Sequence, residues 1–122
     1  MHWFLVFAGG GLGAMARHGV NRAGLALLGP GFPWWTLAVN VLGSFLIGLL
    51  AGLSGAMEAG PNARLFLVTG FLGGFTTFSA FSLDALTLWQ RGALLQAGLY
   101  VAASVILSLF AAAAGLLVTR LA

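Results

Sequence analysis

The sequence predicts an all-α integral membrane protein: a single domain over residues 1–122 with four transmembrane helices, the third of them broken. Three observations carry that expectation. First, 61% of the residues are hydrophobic and 6% charged. An ordinary soluble domain is about 25% charged, so this chain has too little polar surface for water and must be solvated by lipid. Second, residues 23–57, 65–83 and 92–119 contain no Asp, Glu, Lys or Arg, and a helix crosses the hydrocarbon with about 20 apolar residues. Third, the breaks between apolar runs are short: "GPGFP" at 29–33, "EAGPN" at 58–62 and "QRG" at 90–92. Together they set four helices at roughly 3–27, 33–54, 64–90 and 93–120.

Helix 1 opens with "MHWFLVFAGGGLGAMAR", which lacks the basic start of a cleavable signal peptide. It therefore reads as a retained membrane segment. "GGGLGA" imitates a dinucleotide fingerprint, but that motif needs a strand–helix–strand unit and an acid about 20 residues on. "GPGFPWW" follows instead, and the only acids are Glu58 and Asp84. Gly9 and Gly13 are better read as a helix-packing pair, because helices in lipid associate through close approach at small residues. Arg17 either snorkels to the interface or raises the anion concentration at a vestibule.

Helix 2 continues the small-residue spacing with Ser44, Gly48 and Gly52. Faces of this kind on so small a chain predict an oligomer. Asn40 lies among apolar residues in "TLAVNVLGS". An amide there is expensive unless it is satisfied or used; it is either an interhelical hydrogen bond or an anion ligand.

Helix 3 carries "GGFTTFSAFS" at 73–82. Gly73 and Gly74 weaken a helix, and Thr76 and Thr77 can cap a new start. A break at that depth is tolerated only where protein or a water-filled cavity covers it. Carbonyls ending the first half would suit a hard cation, and the positive end of the second half would favour an anion. Phe78 and Phe81 fall at i and i+3 on one face. They either pack or present positive ring edges to an anion path. On helix 4, Tyr100, Ser104 and Ser108 recur every four residues and form one hydroxyl stripe. A lone membrane serine bonds its own backbone; three in register suggest a lining face.

Several functions are excluded. The net charge of +3 rests on five scattered arginines, not the clustered basic face that nucleic acid requires. There are no cysteines. His2, His18, Glu58 and Asp84 form no dyad or metal spacing, so the chain is not expected to be an enzyme.

At these residues the chain resembles the CrcB/Fluc family of fluoride channels. The resemblance covers nearly the whole chain: the glycine-rich segment with Arg17, "WTLAVNVLGSFLIG" in helix 2 and "TGFLGGFTTFSAFS" in helix 3. It implies a dual-topology antiparallel homodimer in the bacterial inner membrane, with two pores passing fluoride passively out of the cell. Asn40, Phe78, Phe81, Tyr100, Ser104 and Ser108 match the family's pore positions, with Thr36 as a contributor. Gly73 and Thr76 match the positions whose carbonyls hold a structural sodium ion at the dimer interface, and Arg17 matches the helix-1 arginine. Ala80 stands where some relatives have threonine.

Charge counting points to dual topology separately. Arg64 and Arg120 fall on one side, with Arg91 and Arg22 opposite, so the bias that orients membrane proteins is nearly zero. Two other functions compete. A dual-topology drug–proton exchanger needs a carboxylate in helix 1, which has none. A non-transporting assembly subunit leaves the polar stripe, the broken helix and Asn40 together without a role.

Overall fold

The computed structural model describes residues 2–53 and 60–121, and the described residues are almost entirely helical. Helix α1 runs His2–Leu28 and α2 Trp34–Leu53. Then come α3 (Gly60–Arg64), a π-helical segment (Leu65–Leu72), α4 (Gly73–Phe75), α5 (Phe78–Gln90) and α6 (Leu94–Leu121). Part of the "EAGPN" connection lies outside the described residues; the rest is already helical, with the chain entering α3 at Gly60 rather than Arg64.

Three stretches are long and apolar enough to cross a membrane: Trp34–Leu53, Gly60–Gln90 and Leu94–Leu121. Helix α1 is as long, but Arg17, His18, Asn21 and Arg22 in its second half lower its apolar character. Helix α6 shows the distribution expected in lipid. It buries Tyr100, Ser104 and Gly115 and leaves Leu95, Leu109 and Phe110 bare. In water this pattern would be inverted.

Helix ends follow local chemistry. Gly29, at φ 75°, closes α1 with its N–H on Leu25 O. Gly92, at φ 80°, ends α5: its N–H bonds Trp89 O while Ala93 N–H reaches Leu88 O. That pair of bonds satisfies the last carbonyls of a helix around a left-handed residue.

Small residues set the packing. A Cβ on Gly13 would strike the carbonyl of Phe71, and one on Gly74 would strike that of Gly10; α1 thus lies directly on the π-helical segment and α4. On the other side, a Cβ on Gly48 would strike the Ala112 carbonyl, and one on Gly115 that of Phe45. The glycines of both small-residue faces are therefore packed inside the chain. The oligomer expected from unused faces loses that particular reason.

Helices α2 and α6 run parallel, since Gly48 meets Ala112 and Gly52 meets Thr119 further along both. Toward the other end of this helix pair, Thr36 of α2 lies beside the Tyr100 hydroxyl of α6. There, Phe81, Leu88 and Tyr100 form a core cluster with Phe32 and Leu37 against it.

Candidate functional site

Helical geometry stops for two residues. Gly73 and Gly74 remain helical, while Thr76 (φ −84°, ψ 157°) and Thr77 (φ −153°, ψ 119°) are extended, and α5 begins at Phe78. The groups of Thr77 have partners of a particular kind. Thr77 N–H donates to Asn40 Oδ1 at 2.8 Å, and Asn40 Nδ2 donates back to Thr77 O at 3.0 Å. The amide side chain thus pairs with an extended residue as a neighbouring strand would. Thr77 Oγ1 accepts from Ala80 N at 3.1 Å and caps α5.

These substitutions leave two carbonyls outside the helical ladder. In a continuing helix Gly73 O would take Thr77 N–H, and Thr76 O would take Ala80 N–H; both donors are engaged elsewhere. Leu72 O, in contrast, accepts from Thr76 N and Thr76 Oγ1 at 3.0 and 2.9 Å, and Gly74 O accepts from Arg17 Nε at 3.1 Å. The segment ends with some carbonyls satisfied and those of Gly73 and Thr76 released.

Beside it lies an open groove of about 590 Å³. Seven of the residues singled out from the sequence line it: Asn40, Gly73, Thr76, Phe78, Phe81, Ser104 and Ser108. They come from α2, α4, α5, α6 and the extended link, so the fold gathers them across the chain. The Phe78 and Phe81 ring centroids are 5.4 Å apart at 48°. Phe81 is buried against Tyr100, again at 5.4 Å, while Phe78 stands 78% exposed. A pair so placed offers ring edges as well as faces.

Tyr100, Thr36 and Arg17 are placed differently. Tyr100 is fully buried behind Phe81, and its hydroxyl donates to Asp84 Oδ2 at 3.1 Å. Thr36 is buried beside that hydroxyl. Neither is part of the groove wall. Arg17 lies on the α1 side, where its Nε is held by Gly74 O. The sequence reading missed that Asn40 and Thr77 form one unit, and it missed Ser44 and Thr69, which also line the groove.

No group of three or more His, Cys, Asp or Glu side chains able to hold a metal exists among the described residues. The chemistry on offer is that of neutral donors: an amide, hydroxyls, the leading N–H groups of α5 and ring edges. Such a set replaces part of an anion's hydration shell without binding it as tightly as a fixed positive charge would.

Residues 4–116 match the family described as CrcB-like protein, Camphor Resistance (CrcB). A "Fluoride-specific ion channel FluC" of Sphingopyxis alaskensis is 53% identical over 118 residues, covering 96% of this chain and 94% of the relative. The protein of that name from Rhizobium etli strain CIAT 652 is 54% identical over 118 residues, with the same coverage. One from Rhodopseudomonas palustris is 52% identical over 122 residues, or 98% of each chain.

Proposed function

This chain belongs to the CrcB-like family and is a fluoride ion channel, and on that premise we propose that fluoride leaves the cell passively through the groove between α2, α5 and α6. It is not an enzyme; nothing is transformed, and the driving force is the fluoride gradient itself. The observation that carries the route is the Asn40–Thr77 pairing. It holds the chain extended where α5 must begin, so that α5 starts, with its leading N–H groups, at the groove-lining residues Thr77 and Phe78. Those groups carry partial positive charge. Nδ2 has a second N–H not used by Thr77, and because Asn40 lines the groove, that donor is available to a passing anion. Phe78 and Phe81 supply polarised edges while the ion sheds water. Tyr100 backs Phe81 and holds its ring in place, with Thr36 beside the Tyr100 hydroxyl.

Four spans are the reading that fits this route, with α1 as the first and the Gly60–Gln90 stretch broken at Thr76–Thr77 near the bilayer midplane. The released carbonyls of Gly73 and Thr76 are hard neutral oxygens, which suit sodium. One chain offers two, so a second copy related by a two-fold axis completes the donor set. Sodium there would supply fixed positive charge between two chains and tie them together. The near-zero arginine bias supports insertion in both orientations, hence an antiparallel homodimer in the bacterial inner membrane.

The test of the function is in cells. A bacterium deprived of its own fluoride export should, when expressing this chain, grow at fluoride concentrations that arrest the parent. Growth no better than the parent's, with the protein present in the membrane, would count against fluoride export.

A further inference from the structure

Apart from the buried Thr36 beside Tyr100, the serine and threonine hydroxyls of the described residues divide into two groups. Those of Thr76, Ser82, Thr87 and Thr119 bond carbonyls one turn back in their own helices, and Thr77 and Ser79 bond each other. That is the ordinary fate of serine and threonine in an apolar helix, where a free hydroxyl is costly. Four others have no protein partner among the described residues: Ser44, Thr69, Ser104 and Ser108. All four line the groove. Ser104 and Ser108 are buried at their oxygens and still unbonded.

Their positions are regular. Ser44 is one turn beyond Asn40 on α2, and Ser108 is one turn beyond Ser104 on the parallel α6. Further along, the two backbones close where Gly48 meets Ala112. Thr69 approaches from a third element, the π-helical segment, one turn before Gly73. A π-helix shifts its carbonyls out of the usual i−4 place, which accounts for a threonine there that does not bond its own backbone.

We propose that Ser44 and Thr69 are anion-coordinating residues which, with Ser104 and Ser108, form a four-hydroxyl site in the groove beyond Asn40. This rests on the fluoride-channel reading and extends it: the ion is passed from Asn40 to a ring of hydroxyl donors drawn from α2, α6 and the π-helical segment. A small, strongly hydrated anion needs several donors at once to leave water. A single stripe on α6 contacts it from one side; Ser44 and Thr69 supply the others. The site discriminates by donor number and size, and no charge is needed.

The test is fluoride-electrode efflux from proteoliposomes holding the full-length protein, with wild type measured alongside. Ser44→Ala and Thr69→Val each remove a hydroxyl at nearly constant volume and should slow efflux roughly tenfold, the order expected for one lost hydrogen bond to an anion. Thr69→Ser restores the hydroxyl and should conduct within about twofold of wild type. Gel-filtration profiles confirm that each variant is assembled before it is measured. Wild-type efflux in both Ser44→Ala and Thr69→Val would overturn the proposal and leave the fluoride channel standing. Equal loss in Thr69→Ser and Thr69→Val would also overturn it, since shape would then matter and not the hydroxyl. Absence of fluoride efflux in wild type would sink the channel reading and this site with it.

Discussion

Asn40 and Thr77 exchange two hydrogen bonds across 37 residues of sequence, one in each direction. A side chain in α2 thereby substitutes for the helical neighbours that Thr77 lacks. Asn40→Asp keeps the acceptor for Thr77 N–H but sets a second oxygen against Thr77 O and removes the donor facing the groove. Fluoride efflux should fall by about a hundredfold or more, and thermal stability in detergent by about 2 kcal/mol. Normal flux from an assembled Asn40→Asp protein would reduce the residue to a packing role.

The phenylalanines should separate into two behaviours. Phe78 is exposed and Phe81 is buried between Phe78 and Tyr100. Phe78→Ile should lower flux with little change in melting temperature. Phe81→Ile should lower both, because two ring contacts worth about 0.5–1.5 kcal/mol each are lost. If both isoleucine variants conduct like wild type, the ring edges contribute nothing and apolar volume is enough.

The cation proposed at the Gly73 and Thr76 carbonyls is not removed by deleting side chains, since the oxygens belong to the backbone. If it is bound there, exchanging sodium for a large organic cation on both sides should slow efflux or weaken any dimer captured by cross-linking. Complete indifference at trace sodium would argue against the site.

Close packing makes a stability prediction free of any function. Gly13→Ala sets a methyl group against the Phe71 carbonyl and should cost about 1–3 kcal/mol. Gly98 has open space around its Cβ position. Gly98→Ala should be neutral or slightly stabilising, by up to about 1 kcal/mol. Equal melting temperatures for the two variants would contradict the packing described.

Dual topology is checked with C-terminal reporters, one active only in the cytoplasm and one active only outside. Comparable signals are expected from both, and two lysines added near Arg120 should bias the mixture. A single fixed orientation of the unmodified chain would rule out the antiparallel pair.

What could be read in the sequence follows from what each signal depends on. Apolar runs and short breaks are local, so the helix positions were legible to within a few residues. Asn40, Ser104 and Ser108 stood out because a polar group in an apolar run has few explanations. The Asn40–Thr77 pair was not legible, because it depends on two distant segments meeting at one depth. Ser44 passed as part of a packing face with Gly48 and Gly52, and only its place on the groove wall separates it from them. Thr69 carries no mark in sequence either: nothing in "LFLVTGFL" announces a π-helical turn. Tyr100 was grouped with the serines by spacing, yet its longer side chain carries its hydroxyl past the stripe to Asp84.

A track of neutral donors should carry fluoride in preference to a larger halide. Its most direct measurement is ion efflux from proteoliposomes containing only this protein, read with a fluoride electrode and, in parallel, a chloride electrode. Rapid fluoride efflux on dissipating the membrane potential, with chloride release at the level of protein-free vesicles, is the predicted result. Equal efflux of both ions, or fluoride release no faster than from empty vesicles, would contradict it.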